Sequence, residues 1–504
     1  MSEKKDKEKE KGKDKSGDQE KKGVVRSRLD KDMDEMALFY SSSLEHDSNI
    51  FFYVIMVDMA HTLNLLAAGH LEWSEAKNIL NAIQEIKEEG YSTFNSYEDI
   101  HEAVEAKLTE TTDDGRKIQT AKSRNDEIAT CLRLFARDRL LMLMDSLLAV
   151  RISVLELAKE YIDIVMPGYT HLQPAQPTRL SHHLIAYHDM LARDFERAVE
   201  AMDRVNLCPL GSAAFASTSF ETDRGNVADL LGFDDVVDNS ADAVSSRDFL
   251  IESVYAATSS MLSMSRMAEE IILWSSEFDY IELPDEFASS SSIMPQKKNP
   301  DIAELLRAKA GRLNGNLTAL ISMYRAMPFN YNRDFQEMNP LLYQSVETAI
   351  ASANLMAKML KGIQFKREIM TQKVGEKFIS ATELANLMVK KAEIPFRSAH
   401  EIVGRLALEG NYHPSIEDVD QKALEIVDKR ISDFVSREEL NRSLDPQYVV
   451  ENMGSGGPAR SEVERMIKDR DEQYSHDESE MYQLIDKISA RLERLHDEVR
   501  RVVG

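Results

Sequence analysis

From about residue 30 onward, apolar residues recur at three- and four-residue spacing over long stretches. They are clearest from Arg137 to Tyr161, Arg247 to Trp274, Ile302 to Tyr324 and Leu341 to Lys361. Strand-like alternation is scarce. Segments of this length with few internal prolines or glycines predict an all-α chain, a bundle in which long helices bury facing apolar stripes. Methionines within the stripes read as core filler, because the unbranched thioether adapts to irregular gaps. The run Met453-Gly454-Ser455-Gly456-Gly457-Pro458 ends one helix, and Ser461 with Glu464 forms a capping-box pattern that starts a last one. A phosphate-cradling loop there would need a following lysine and a preceding strand, and has neither.

The first 24 residues are almost all charged or small, with nothing to bury against the entropy cost of ordering. The chain therefore divides into a disordered charged tail (1–24), an N-terminal helical domain (25–120), a central long-helix bundle (121–370) and a C-terminal helical region (371–504). A formal net charge of −25 opposes binding to a phosphate backbone, which needs clustered Lys and Arg, so no nucleic-acid partner is expected. Cys131 and Cys208 are the only cysteines and lack metal-ligand spacing, which suits a reducing cytoplasm. No apolar run approaches the roughly 20 residues of a membrane span, and no signal-peptide pattern opens the chain. A soluble, cytoplasmic protein without a membrane partner is the expectation.

Four polar segments interrupt the helical pattern. Ala288 to Pro300 reads ASSSSIMPQKKNP, in which small serines permit backbone movement, Lys297 supplies a positive charge and Asn299 offers directed hydrogen bonds. Such parts suit a mobile lid over a carboxylate, and equally a solvated loop. Thr120 to Thr130, TAKSRNDEIAT, places Arg124 and Asn125 as donors for carboxylates, and Ser123 as a helix N-cap. Met166 to Pro177, MPGYTHLQPAQP, reads as an irregular segment whose prolines hold Thr170 and His171 rigidly. His171 is there a candidate acid or base, or a structural histidine. Met327 to Gln336, MPFNYNRDFQ, sets Tyr331 and Gln336 after a long helix.

The serine segment matches GSSxMPxKxNP, the signature of the fumarase/aspartase superfamily, except for Ser290 at the usual glycine. Within that superfamily the chain resembles the argininosuccinate lyase family, whose members read TGRSRNDQVAT, MPGYTHLQxAQP, NSMDAVSDRDF, GSSxMPQKKNP and YNxDxQE. Here the corresponding stretches are TAKSRNDEIAT, MPGYTHLQPAQP, NSADAVSSRDF, SSSIMPQKKNP and YNRDFQE. The resemblance runs from about residue 30 to the C-terminus, is densest between 98 and 340, and is nearest to the archaeal branch.

The resemblance implies a fumarase/aspartase-like homotetramer with a central helical core and active sites assembled from three chains. It implies elimination of fumarate from argininosuccinate to give arginine, the last step of arginine biosynthesis, with no cofactor and no metal. Ser291 is then the base, and His171, supported by Glu304, a second proton-transfer residue. Asn125, Thr170, Lys297, Asn299, Tyr331 and Gln336 become substrate ligands, while His101, Arg124 and Arg247 match positions near the family's site. The chain departs from the pattern at Ala121 for glycine, Glu127 for glutamine, Cys131 for aspartate, Asp58 for a substrate-binding serine and Asn339 for a lysine. Asp58 can accept hydrogen bonds from a guanidinium or α-amino group, whereas Asn339 removes a positive charge that would meet a carboxylate. The rival expectations are another fumarate-releasing lyase (adenylosuccinate lyase, aspartase or fumarase) and a catalytically silent homologue.

Overall fold

The computed structural model describes residues 33–95 and 97–504, so the charged tail expected over 1–24 lies outside the described residues. The chain forms two compact units, one reaching to Thr120 together with Val502–Gly504, the other spanning Ala121–Arg501.

In the first unit the helices Phe51–Ala67, Trp73–Glu89 and Ile100–Thr111 pack in sequence. The Phe51–Ala67 helix is buried almost all round, whereas Trp73–Glu89 turns Ala76, Ile79, Leu80, Ile83 and Ile86 inward and is solvated opposite. Glu72 and Glu75 close a reciprocal capping box on the second helix, and the Asp99 carboxylate caps the third. Among the described residues no single helix is long and apolar enough to cross a membrane. The bent pair Glu35–Asp47 and Phe51–Ala67 passes on composition alone, and its second member is core.

The second unit is built on five long helices: Arg124–Glu160, Leu180–Val205, Asp248–Ser275, Asp301–Tyr324 and Asn339–Gly362. The first packs against the second and fifth, and the third packs against the second, fourth and fifth. The first helix begins 13 residues before the apolar pattern does, at Arg124 rather than Arg137. Its early turns bury arginines where an apolar stripe would be read. Arg133 Nη1 donates to the carbonyls of Arg204 (2.7 Å) and Val205 (3.3 Å) at the end of the Leu180–Val205 helix, and its guanidinium lies 4.2 Å from the Phe249 ring centre. Arg137 Nη1 donates to the Leu231 carbonyl (2.8 Å), just past the Arg224–Leu230 helix, and lies over Phe233. Each guanidinium thus meets the negative end of a helix, which offsets part of its desolvation. Farther along, Arg151 pairs with Asp477 at 2.7 Å.

Asp477 belongs to the terminal helix Arg460–Val503, which starts one residue before Ser461. Ser461 is therefore inside the helix and not its cap. Glu464 pairs with Arg460 at 2.9 Å instead of closing a box. Between the bundle and this helix, short helices from Ala381 to Leu444 bury a core of their own around Leu384, Met388, Ile402, Leu406, Val419 and Leu440.

Candidate active site

Ser289–Ser290 pairs antiparallel with Lys298–Asn299, and this short ladder closes the serine loop at its neck. Asn299 Nδ2 donates to Ser289 Oγ at 3.3 Å. Below the neck, Lys298 Nζ reaches Glu282 (2.8 Å), Asp285 (2.7 Å) and the Leu283 carbonyl (2.5 Å), and the two carboxylates hold its pKa above the usual lysine range. Lys297, one residue earlier, is exposed and has no ion-pair partner among the described residues. Two adjacent lysines thus divide into an anchoring one, Lys298, and a displayed one, Lys297. Just beyond the neck, Ser291 Oγ accepts the backbone N–H groups of Ile293 (3.3 Å) and Met294 (3.1 Å). Two N–H dipoles aimed at one hydroxyl oxygen favour negative charge on it.

The proline-rich segment is not irregular. It forms a β-hairpin, Val165–Thr170 paired antiparallel with Gln173–Arg179, with Pro167 opposite Pro177. Its three prolines hide the alternation, and they are tolerated because the ribbon has only two strands, with no third needing the missing donors. Thr170 and Gln173 close a two-residue turn in which His171 (φ 55°) and Leu172 (φ 58°) are both left-handed. That conformation usually selects Asn and Gly, so holding His and Leu in it stores strain at the exposed tip. The hairpin is anchored by Tyr169, which stacks on Phe278 at 4.9 Å and shares a 2.5 Å hydroxyl contact with Tyr280. A cavity of about 370 Å³ lies against it, lined by Thr170, His183, Glu270, Trp274 and Phe278 among others. Thr170 is the expected site residue that lines this cavity; His171 and the serine loop lie outside its lining.

Ser123 caps the Arg124–Glu160 helix through a box with Asp126, leaving Arg124 and Asn125 half-buried in the first turn. Ala121 is left-handed (φ 61°), which explains the glycine usual there. Lys122 and Glu127 form a buried pair at 3.1 Å, so the acidic departure at Glu127 is met by its own cation. Asn125 Nδ2 donates to the Ala214 carbonyl (3.0 Å), and the Asp126 carboxyl accepts the N–H groups of Gly211 (3.0 Å) and Ala213 (2.8 Å). Burial pushes the Asp126 carboxyl up to about 7, against the N–H groups that favour its charge. This contact with residues 211–214 was not among the expectations. The only sequence signal for it is the small-residue run Gly211-Ser212-Ala213-Ala214 between two helical patterns.

Other expected residues are placed differently. Arg247 is fully buried, donating through Nη1 to the Ser246 (2.7 Å) and Val244 (3.3 Å) carbonyls and lying 4.6 Å from the Phe335 ring centre. It is part of the core beneath the polar 331–336 turn rather than a displayed ligand. Tyr331 and Gln336 are half-buried in that turn, with Tyr331 packed edge-on to Phe335. Asn339 is 5% exposed at the start of its helix, so the position expected to have lost a substrate-facing charge is a core position. Glu304 is exposed in the first turn of the Asp301–Tyr324 helix, and no hydrogen bond joins it to His171 within one chain. In the first unit, Asp58 (2% exposed) and His101 (3%) are buried. Burial raises the Asp47 carboxyl to about 6, opposed by the nearby His101.

A family model described as "Lyase" matches residues 27–315 of this long-helix bundle. A second model, described as "Argininosuccinate lyase C-terminal", matches residues 378–451. The chain is 53% identical over 478 residues to argininosuccinate lyase of Archaeoglobus fulgidus, covering 94% of this chain and 98% of that protein. It is 43% identical to argininosuccinate lyase of Methanosarcina acetivorans, covering 95% and 99% of the two. The chain belongs to the argininosuccinate lyase family, on its archaeal branch. Among solved structures, EDDS lyase in complex with formate superposes with a TM-score of 0.84 at 29% identity, covering 92% of this chain and 95% of that one. Class II fumarase from Schistosoma mansoni, at 16% identity and a TM-score of 0.69 over 79% of this chain and 90% of that one, shares the fold.

Proposed function

We propose that this chain eliminates fumarate from argininosuccinate, leaving L-arginine, with Ser291 as the base. The observation in the geometry that carries the mechanism is the pair of backbone N–H groups aimed at Ser291 Oγ. A Cβ hydrogen beside a carboxylate is weakly acidic and a serine hydroxyl is a poor base, so the loop must stabilise charge on both partners. The serine alkoxide takes the Cβ proton, and the electron pair moves into the neighbouring carboxylate to give an aci-carboxylate. Collapse of that intermediate forms the double bond of fumarate and breaks the C–N bond. His171, supported by Glu304, returns a proton to the departing guanidino nitrogen. Lys297 and Asn299 hold the carboxylate whose charge grows, where loss of one fixed donor typically costs about 10² to 10³ in rate. Arg124, Asn125, Thr170, Tyr331 and Gln336 complete the substrate contacts. No step requires a metal or organic cofactor.

The reading includes a homotetramer in the cytoplasm, with sites shared between subunits. Exposed Tyr255 and Leu262 on the Asp248–Ser275 helix, and Leu305 and Ile321 on the Asp301–Tyr324 helix, supply apolar surface suited to self-association. The absence of a His171–Glu304 bond within one chain is consistent with a partner subunit supplying one of them. Purified protein given argininosuccinate, adenylosuccinate, aspartate and malate in parallel, with fumarate followed by ultraviolet absorbance, tests the assignment. Fumarate is expected from argininosuccinate alone; release only from another substrate, or from none, refutes it.

A further inference from the structure

Asp126 lies outside the proton-transfer scheme, yet its carboxyl is fully buried and has every bond it can use directed at backbone. Oδ1 accepts the Ser123 N–H (2.9 Å), and Oδ2 accepts those of Gly211 (3.0 Å) and Ala213 (2.8 Å). The loop it holds is pinned from the other side by Arg224, which donates to Ser212 Oγ (3.1 Å), the Leu210 carbonyl (3.3 Å) and the Val237 carbonyl (2.7 Å). Left-handed residues bracket the loop at Ala213 (φ 50°) and Ser217 (φ 61°), and the Ser217 N–H closes it on the Ser212 carbonyl at 3.0 Å. Its outer residues, Ala214 to Ala216, are exposed. Asn125 reaches this outer part from outside the loop, its Nδ2 donating to the Ala214 carbonyl at 3.0 Å.

That last bond decides which end of the amide is available. With nitrogen turned to the loop carbonyl, Asn125 is left with Oδ1 facing away, and Oδ1 has no partner among the described residues. We propose that Asp126 is a positioning residue for the elimination: by fixing the 211–217 loop it holds the Ala214 carbonyl against Asn125. Asn125 then presents an acceptor to a nitrogen donor of the substrate, its α-ammonium or guanidinium group. This rests on the reading of Asn125 as a substrate ligand, and it reverses the polarity that the residue type alone suggested, a donor for a carboxylate. An acceptor at this point discriminates between substrates that carry a nitrogen donor there and those that do not, because an unpaired buried partner costs more than a missing attraction.

A double-mutant cycle tests the proposal. Asp126→Asn keeps the shape but loses one of the three N–H bonds, and it should raise KM for argininosuccinate about tenfold with kcat changed less than about threefold. In an Asn125→Ala background the same change should alter KM by less than about twofold, because the residue through which Asp126 acts is gone. Equal costs in both backgrounds would overturn the proposal and leave Asp126 a purely structural group. Should Asn125→Ala itself show wild-type kinetics, the reading of Asn125 as a ligand fails first, independently of Asp126. Ala213→Gly covers the case in which Asp126→Asn does not fold. Glycine adopts the left-handed conformation freely, so this variant loosens the loop with every hydrogen bond kept. Its KM should rise about threefold, and only when Asn125 is present; an unchanged KM overturns the proposal.

Discussion

The serine loop and the 211–217 loop both bear on the proposed chemistry and are held in opposite ways. The first is a local object: its neck pairs residues ten apart, its anchor Lys298 reaches carboxylates 13 and 16 residues away, and its tip is exposed. The second is held by bonds to Asn125 and Asp126 that span 85 to 89 residues, two of them ending on the fully buried Asp126 carboxyl. An exposed loop on a narrow neck can close over a substrate, whereas a loop fastened to a buried group keeps its position. Mobility and rigidity are thus assigned to different segments.

The largest effect expected from disturbing this contrast lies within the serine loop. Lys297→Met should lower kcat/KM by about 10² to 10³, as a fixed charge on the developing carboxylate is lost. Lys298→Met should cost only about tenfold, through a looser neck. Lys298→Met alone should also speed proteolytic cleavage between 289 and 299, and equal behaviour of the two variants would erase the distinction between anchor and ligand. On the rigid side, Gly211 has φ 89°, and a Cβ there would come within 2.7 Å of Arg224 Cγ. Gly211→Ala should therefore lower stability by about 1 to 3 kcal/mol in a denaturant titration.

The buried carboxyl also predicts a pH dependence that the exposed loop lacks. Asp126 keeps its proton up to about pH 7 in the folded chain, while the unfolded group loses it near 3.9. The folded state therefore binds the extra proton between those values. The corresponding stabilisation is full below about pH 4 and is lost as pH climbs through 7. Unfolding midpoints measured from pH 4 to 8 should fall along this window, and less steeply in Asp126→Asn. The smallest effect is expected at the hairpin tip, where Leu172→Gly relieves a left-handed leucine. It should raise the thermal midpoint by an amount worth at most about 1 kcal/mol.

What could be read in advance followed the same division between local and distant. Helices with clean apolar stripes, such as Asp301–Tyr324, were legible to within a residue or two. In Arg124–Glu160 the start is legible from Ser123 as N-cap, while the apolar stripe is clear only from Arg137, since Arg133 and Arg137 are buried charges whose partners are helix-end carbonyls far along the chain. The hairpin is hidden in the sequence because Pro167, Pro174 and Pro177 mask strand alternation, and the left-handed turn at His171-Leu172 lacks the usual Asn-Gly. Ser291, Lys297 and Asn299 stood out as a contiguous motif. Asp126 did not: in sequence it is one acidic residue in a first helical turn, and its role depends on a loop that no short window contains. Arg247 shows the converse, since a match of residue type says nothing of burial.

The measurement closest to the central claim is argininosuccinate binding and turnover by Ser291→Ala, made on protein whose assembly and thermal midpoint match the parent. If Ser291 is the base held by the Ile293 and Met294 N–H groups, the variant binds argininosuccinate with nearly unchanged affinity and releases no fumarate above the uncatalysed rate. Turnover within about tenfold of the parent would contradict the account and move the base elsewhere in the site.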